Sequence, residues 1–255
     1  MWQDKVSIVT NKEISPEYFK MSLEAGKIAK IAKPGQFLHI KIDDMPFLRR
    51  PFSLHRMYNS NIDIFYHVVG KGTQALSQKE SGAKLDILGP LGNGFEIKEI
   101  KNQVLIGGGI GIAPLFALAE ALVNTSTQIC VIIGAKTKER LLCEEDFAKL
   151  GCKVQVATED GTGGKKGMAT DILKDILLSL PPTETILYSS GPNKMLAEVS
   201  RVANVASVSC QISLEETICC GVGACLGCVV KTATGYKRVC SEGPVFKSDE
   251  ILLGS

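Results

Sequence analysis

Five of the nine cysteines in this 255-residue chain are crowded between Cys219 and Cys240. Cys220, Cys225 and Cys228 have the spacing C-x4-C-x2-C, and Cys240 is a more distant fourth thiol. This is the plant-type spacing that holds a [2Fe–2S] cluster, in which thiolates converge on a small inorganic core. The three glycines between Cys220 and Cys228 let the loop wrap closely and aim its N–H groups at the sulfur atoms. The pattern therefore predicts a [2Fe–2S] site with these four cysteines as ligands.

The cysteines alone leave two alternatives open. A structural zinc site also uses four thiolates, but it usually arranges them as two C-x2-4-C pairs, and this segment provides only one such pair. Cys219 competes with Cys220 as the first ligand, although the four-residue loop favours Cys220. The isolated cysteines lie in or beside apolar stretches, and we interpret them as buried small side chains: Cys130, Cys143, Cys152 and Cys210.

A glycine-rich turn provides a second candidate site. It runs from Gly107 to Pro114 between an apolar strand and a helix, and it contains the pattern G-x-G-x-x-P. Glycines let a pyrophosphate approach the helix N-terminus, where free N–H groups and the helix dipole favour an anion. The pattern predicts nucleotide binding, with a turn that binds nothing as the alternative. The candidate residues are Gly107, Gly109, Gly111 and Pro114.

A second turn, which contains Gly191 and Pro192, also follows an apolar strand and precedes a helix. Ligands bind at the carboxyl edge of parallel sheets in folds of this kind. We expect both turns to lie at that edge, so Gly191 and Pro192 are added to the nucleotide site.

The N-terminal part of the chain contributes a third set of candidates. Arg50 opens a strand, and an arginine can bind a pyrophosphate through two hydrogen bonds, although such arginines are usually surface charges. Gly72 and Thr73 open a short helix and form a second possible anion site. His55 and His67 are possible proton donors, but histidines beside apolar strands are more often structural. The candidates are Arg50, Pro51, Phe52, Ser53, His67, Val68, Val69, Gly72 and Thr73.

The elements that must position these groups change in kind near residue 100. Before it, short alternating runs between Gly and Pro predict an antiparallel β barrel. After it, buried strands alternate with amphipathic helices, which predicts a doubly wound parallel sheet. We expect a barrel over 1–100, an α/β domain over 101–208 and a small cluster-binding segment over 209–255. That last segment is too short for a hydrophobic core of its own, so we expect something other than apolar burial to hold it together.

Composition excludes several functional classes. The chain is 45% hydrophobic and 22% charged, as ordinary globular proteins are. A net charge of +2 gives no reason to expect nucleic acid or an anionic membrane as a partner. The chain also shows neither a secretory signal nor an apolar run of the ~20 residues that a membrane span needs. We expect a cytoplasmic protein without membrane contact.

Taken together, the Arg-x-x-Ser run from Arg50 to Ser53 and the G-x-G-x-x-P turn resemble the ferredoxin-reductase superfamily. The cysteine segment, from Leu214-Glu215-Glu216 to Phe246, makes the resemblance more specific. Over essentially its whole length, the chain resembles the electron-transfer subunits of dihydroorotate dehydrogenase B.

The resemblance implies FAD in the barrel, along the third set of candidates, a [2Fe–2S] cluster on the four cysteines, and NAD as the final electron acceptor. It also implies a separate FMN-containing catalytic subunit that oxidises dihydroorotate, in a hetero-oligomer with two copies of each chain. Within it, this chain would pass electrons from FMN through the cluster and FAD to NAD⁺ in pyrimidine biosynthesis. A flavin must stand between a one-electron cluster and a two-electron nicotinamide.

Some alternatives stay open. Lys136, Lys138 and Arg140 follow the second strand of the α/β unit and could accept the 2′-phosphate of NADP, or they could be a solvated charge run. A hydrogenase or ferredoxin oxidoreductase subunit that uses NAD(P)H would share most of these motifs. A non-enzymatic zinc-bound interaction module is the remaining interpretation.

Overall fold

The computed structural model describes residues 1–43, 47–123, 125 and 127–253. Six strands form the N-terminal part: β1 (Trp2–Ser15), β2 (Tyr18–Glu24), β3 (Phe37–Lys41), β4 (Arg50–Tyr58), β5 (Asn61–His67) and β6 (Lys84–Leu91). They close into an antiparallel barrel in the order β1-β2-β5-β4-β3-β6. Two short helices accompany them, α1 (Gly26–Ala29) and α2 (Lys71–Ser77). The predicted barrel is therefore confirmed.

Alternation along the strands fills the barrel. On β3, Leu38 and Ile40 are fully buried in the barrel core, together with Phe52 and Leu54 of the neighbouring β4. Successive side chains of a strand point to opposite faces, so Phe37 and His39 face away from this core. Phe37 instead joins a second hydrophobic cluster, which contains residues of the C-terminal segment.

The second part is a seven-stranded sheet in the order β10-β9-β8-β7-β11-β12-β15. Its strands are β7 (Asn102–Gly108), β8 (Gln128–Ala135), β9 (Lys153–Thr158), β10 (Lys165–Lys166), β11 (Thr185–Ser190), β12 (Ser209–Ser213) and β15 (Val245–Lys247). The six strands from β7 to β12 pair in parallel, and β15 adds an antiparallel edge to β12.

Helices cover both faces of this sheet. Their bounds are α3 (Ala113–Leu122), α4 (Glu144–Lys149), α5 (Ala169–Leu177) and α6 (Asn193–Val205). The buried residues of α3 and α4 pack in one hydrophobic cluster, and those of α5 and α6 pack in another. The predicted doubly wound arrangement is therefore confirmed. A 3₁₀ turn over Gly109–Ile112 leads from β7 into α3.

The C-terminal segment is continuous with the α/β sheet. Both β12 and β15 belong to that sheet, and a hairpin of β13 (Val229–Thr232) and β14 (Gly235–Arg238) projects between them. Ile218, Val239 and Phe246 are buried in the same hydrophobic cluster as α5 and α6. Contrary to our expectation, apolar burial does help to hold this segment. The proposed boundary at residue 208 precedes the last parallel strand of the sheet.

In the described residues, no helix is both long enough and apolar enough to cross a membrane.

Candidate iron–sulfur, nucleotide and flavin sites

A short hairpin explains how the distant cysteine reaches the cysteine loop. The strands of the hairpin pair antiparallel, with Val229 opposite Arg238. The N–H of Val239 then donates to the carbonyl of Cys228 over 2.9 Å. The hairpin therefore returns Cys240 to the side of Cys228, where the two residues are 1% and 2% exposed, respectively.

The cysteine loop turns sharply at its glycines. Gly221 and Gly223 have φ angles of +74° and +78°, a region that favours glycine. A Cβ atom on Gly223 would lie 2.7 Å from the Ser241 hydroxyl, so a larger residue would collide with the segment that follows the hairpin. The Arg238 side chain binds the carboxylate of Glu242 at 2.8 Å and donates to the Gly223 carbonyl.

Backbone N–H groups point at the sulfur atoms of this site. Such donors stabilise a thiolate and tune the potential of an iron–sulfur cluster. The N···S distances are 3.2 Å from Gly223 to Cys240, 3.4 Å from Gly227 to Cys225 and 3.4 Å from Cys240 to Cys228. The loop therefore has the N–H arrangement that the sequence predicts for it.

The thiols differ in how easily they ionise. Burial opposes ionisation of Cys220, but backbone N–H groups from Cys225, Val222 and Ala224 outweigh it and lower its pKa to about 6. Burial raises the pKa of Cys240 to about 12, and the neighbouring Cys228 thiol adds to this effect. A buried thiol of this kind ionises readily only beside a positive centre, so the donor set fits a metal cluster.

In the part of the chain that the structure describes, no three or more His, Cys, Asp or Glu side chains are arranged to hold one metal ion. Cys219 is exposed beside this site, and its competition with Cys220 stays an open prediction.

The two glycine turns lie against each other. β7 and β11 are adjacent parallel strands, so the turns that follow them leave the same edge of the sheet. A Cβ atom on Gly111 would lie 2.5 Å from the Cα atom of Gly191, a distance that only glycine permits. Both turns therefore lie at one carboxyl edge, as the sequence predicts.

A cavity of about 770 Å³ opens at this edge, a volume within the usual range for a cofactor site. Of the predicted nucleotide residues, Gly109, Gly111, Gly191 and Pro192 line this cavity. The other two lie outside its lining. A Cβ atom on Gly107 would lie 2.6 Å from the Ile112 Cα atom, so this glycine serves close packing, and Pro114 is buried at the start of α3.

Charged side chains also line the cavity. Lys136 and Arg140 line it, whereas Lys138 does not. Glu159 lines it as well, and its N–H donates to the Ala135 carbonyl over 3.1 Å. Glu159 thus lies at the end of β9, beside the end of β8. Glu159 is absent from the predicted site residues because only the charged residues that follow β8 were considered there.

The two adjacent arginines of the barrel have different surroundings. Arg49 forms an ion pair with Asp86 at 2.9 Å and donates to the Asp86 carbonyl over 2.7 Å. Arg50 contacts the carbonyl groups of Leu48 and Arg49, and no carboxylate among the described residues pairs with it. Arg50 is therefore the arginine with a guanidinium available for an anionic ligand.

The rest of the Arg-x-x-Ser run divides between two faces of β4. Phe52 is buried in the barrel core, with its ring 5.9 Å from that of Tyr66 in a T-shaped arrangement, so it lies outside any open site. Pro51 and Ser53 are half-buried on the opposite face of the strand. The backbone places them opposite residues of β3 whose side chains face the C-terminal segment.

The other flavin candidates, from His67 at the end of β5 to Thr73, are only partly open to a ligand. Thr73 Oγ1 accepts a hydrogen bond from the Val69 N–H over 2.9 Å, so the hydroxyl caps α2. Val69 is exposed, Val68 packs partly against the barrel core, and Gly72 is buried within α2. His67 lines the nucleotide cavity and stacks on Tyr18 with ring centroids 4.4 Å apart.

His55 lies outside the cavity. Its ring stacks between Phe65 and Phe116, at 4.0 and 4.8 Å between centroids. Burial lowers its pKa to about 4, so it is neutral near pH 7. The structural interpretation of this histidine, not that of a proton donor, fits these contacts.

Two family models match the chain. Residues 215–252 match the iron–sulfur cluster binding domain of dihydroorotate dehydrogenase B. Residues 105–201 match the oxidoreductase NAD-binding domain. Together they cover the cysteine segment and both glycine turns.

Curated relatives match over nearly the whole chain. The dihydroorotate dehydrogenase B (NAD(+)) electron transfer subunit of Caldanaerobacter subterraneus subsp. tengcongensis is 40% identical over 256 residues, which cover 99% of each chain. The corresponding subunit of Geobacillus sp. strain WCH70 is 37% identical over 263 residues, with 99% of this chain and 100% of the relative covered.

Solved structures share the fold. A chain of an NADH-dependent reduced ferredoxin-NADP oxidoreductase, described in connection with flavin-based electron bifurcation, is 31% identical with a TM-score of 0.89, over 97% of this chain and 90% of that one. A ferredoxin NADP⁺ reductase from Neisseria gonorrhoeae, with FAD and NADP bound, has a TM-score of 0.70 at 18% identity, over 80% of this chain and 91% of that one. The second similarity shows the fold alone.

Proposed function

Because this chain belongs to the family of dihydroorotate dehydrogenase B electron transfer subunits, we propose that it passes electrons from the FMN of a catalytic partner through a [2Fe–2S] cluster and FAD to NAD⁺, in pyrimidine biosynthesis. It is an oxidoreductase subunit that works with that partner.

One structural relationship carries this proposal. β3 lies between the proposed flavin motif and the cysteine segment. Its residues Phe37 and His39 pair with Ser53 and Pro51 on β4, and His39 Nε2 lies 3.2 Å from the carbonyl oxygen of Ile218, two residues before Cys220. The flavin motif and the cluster ligands are therefore neighbours in the fold, although they are far apart in the sequence. Electron transfer between two cofactors requires that their sites lie close together.

The chain's own residues would hold each group. The four cysteines would bind the cluster, Arg50 would bind the FAD pyrophosphate, and Ser53 would hydrogen-bond the flavin ring. The remaining candidates of the barrel and both glycine turns would shape the flavin and nucleotide sites. When bound, the flavin exchanges electrons singly with the cluster and in pairs with NAD. The chain contributes positioning, tuning of potentials and exclusion of water.

The partner would dock on the cysteine loop. Val222 and Leu226 of this loop are 47% and 59% exposed, beside the exposed Cys225. Apolar side chains at the surface beside a redox centre suit a protein interface, where electrons leave or enter. We propose a hetero-oligomer with two copies of each subunit. A cytoplasmic location is proposed with it.

The purified, cofactor-loaded chain tests this function directly. We expect it to reduce artificial acceptors with NADH and to leave dihydroorotate unoxidised, because removal of a proton from carbon needs a placed base and a substrate pocket. Dihydroorotate turnover by this chain without its partner would contradict the proposal. A co-purifying FMN protein, identified by mass spectrometry, would support it.

A second candidate function has one specific observation in its favour. The reduced ferredoxin-NADP oxidoreductase chain is 31% identical over nearly the whole length. The relatives named for dihydroorotate dehydrogenase B reach 40% identity, so they are favoured. The same pull-down separates the two functions, because the second one requires a different partner.

A further inference from the structure

A barrel histidine meets the cysteine loop. His39 lies on β3, and its side chain is completely buried. Its Nε2 atom lies 3.2 Å from the carbonyl oxygen of Ile218, which is 179 residues farther along the chain and two residues before Cys220. No pattern in the sequence connects these two places.

The hydrogen bond determines where the ring carries its proton. A carbonyl oxygen only accepts, so Nε2 must be the donor to Ile218. Burial lowers the pKa of His39, which keeps the ring neutral. Nδ1 therefore carries no proton and presents a lone pair. It is buried and has no hydrogen-bond partner among the described residues.

This lone pair faces the residue that follows the first proposed ligand. A Cβ atom on Gly221 would lie 2.8 Å from His39 Nδ1 and 3.1 Å from a Leu91 methyl carbon. The absence of a side chain at Gly221 lets the imidazole lie directly against the loop that carries Cys220. An unpaired buried acceptor normally costs stability, so its retention here suggests a role.

The other side of His39 belongs to the flavin motif. On the barrel sheet, His39 is directly opposite Pro51, and Phe37 is opposite Ser53. Arg49, which precedes the proposed pyrophosphate ligand, donates to the His39 carbonyl over 3.4 Å. His39 therefore lies in the narrow layer between the flavin motif and the cluster loop.

We propose that His39 is a positioning and tuning residue for the cluster, an inference that rests on the proposed function. Its Nε2–H holds the start of the cysteine loop against the flavin barrel. The partial negative charge of its Nδ1 lone pair faces the loop. Reduction of the cluster adds one electron and one negative charge, so this lone pair disfavours the reduced state and lowers the cluster potential.

Two variants of the cofactor-loaded chain separate these roles. His39→Phe keeps a planar ring and removes both nitrogens, whereas His39→Gln keeps a donor that can reach the Ile218 carbonyl. The cluster potential is measured by redox titration with the electron paramagnetic resonance signal as the readout. His39→Phe lacks the lone pair, so we expect its one-electron reduction equilibrium to shift about three- to tenfold toward the reduced cluster; a tenfold shift corresponds to about 59 mV. His39→Gln keeps an acceptor in its amide oxygen but loses the fixed Nδ1 position, so its shift should have the same direction and be smaller.

His55→Phe is the matched control. It removes another buried barrel histidine that is bonded to a backbone carbonyl, but that carbonyl belongs to α3. Its cluster potential should equal that of the wild type.

The outcomes are separable. If His39→Phe loses its cluster while His39→Gln retains it, the anchoring role is supported and the potential is read from the second variant. An unchanged or lowered potential in a variant that retains its full cluster overturns the tuning role, as does loss of the cluster from both variants together with the control. Failure of the proposed function looks different, because the wild-type chain would then hold no cluster at all.

Discussion

His55 on β4 donates through Nδ1 to the carbonyl oxygen of Ala113, the first residue of α3, over 2.9 Å. This bond ties the barrel to the helix that follows the nucleotide turn. It keeps the proposed flavin and nucleotide sites in a fixed relation, because both ends belong to rigid elements. The bond also fixes the proton on Nδ1 of a ring that burial keeps neutral.

Acid should lower the stability of the folded chain through His55. The folded pKa of His55 is about 4, below its ordinary value of 6.5, so the unfolded chain binds a proton first as the pH falls. The contribution of neutral His55 to the free energy of unfolding is therefore fully present above pH ~6.5. As the pH falls toward ~4, about 3 kcal/mol of this contribution is lost. Chemical unfolding at several pH values measures it. The wild type should lose more stability than His55→Gln over this interval; parallel curves would assign the pH dependence to other groups.

The cluster ligands are tested one cysteine at a time. Cys225→Ser and Cys240→Ser should each abolish most of the acid-labile sulfide and the paramagnetic signal of the reduced protein, because a serine oxygen is a poor ligand for this cluster. Cys219→Ser is the matched control and should keep both. Loss of the cluster in Cys219→Ser, with retention in Cys220→Ser, would exchange the roles of these two neighbours.

Adjacent arginines provide the test of flavin binding. Arg50→Ala should weaken FAD binding by about 10- to 100-fold, since a charge-assisted hydrogen bond contributes roughly 1.5–3 kcal/mol. Arg49→Ala breaks the ion pair with Asp86, so it should lower the melting temperature and leave the FAD affinity nearly unchanged. Fluorescence titration of the apoprotein with FAD measures the dissociation constant. Equal losses of affinity in both variants would remove the special role of Arg50.

Nucleotide preference should depend on Glu159. A carboxylate at this strand end can accept hydrogen bonds from an adenosine ribose, and it repels a 2′-phosphate. We expect Glu159→Gln to raise the ratio of kcat/KM for NADPH to that for NADH about tenfold, because it removes one carboxylate from the lining that Lys136 and Arg140 share and so weakens the repulsion of a phosphate. Asp160→Asn, one residue away and outside the cavity lining, is the control. An unchanged ratio in Glu159→Gln would refute this assignment.

Leu226 tests the docking surface. Leu226→Glu places a charge in the proposed interface and should weaken the association of the two subunits at least tenfold, with NADH-dependent reduction of artificial acceptors retained. Leu178→Glu changes a leucine that is 89% exposed just after α5 and should leave association unchanged. Size-exclusion chromatography with the co-expressed partner compares the two. If both variants associate equally well with the partner, Leu226 is not part of the interface.

Local patterns determined much of this protein. Alternation of apolar residues before residue 100 predicts the barrel, and buried strands that alternate with amphipathic helices after it predict the parallel sheet, because both signals reflect burial that each element requires by itself. The C-x4-C-x2-C spacing also predicts the cluster ligands, since a loop of that length limits which sulfur atoms can converge.

Tertiary structure decided the relations among these parts. Only the folded chain distinguishes Arg50 from Arg49, because the partner of Arg49 is Asp86 on another strand. Only the parallel neighbour β9 brings Glu159 to the nucleotide cavity, and only the packing of the barrel against the cysteine loop places His39 beside Gly221. These contacts join residues that are 20 to 180 apart in the sequence, roughly, and such pairings leave no local periodicity from which they could be predicted.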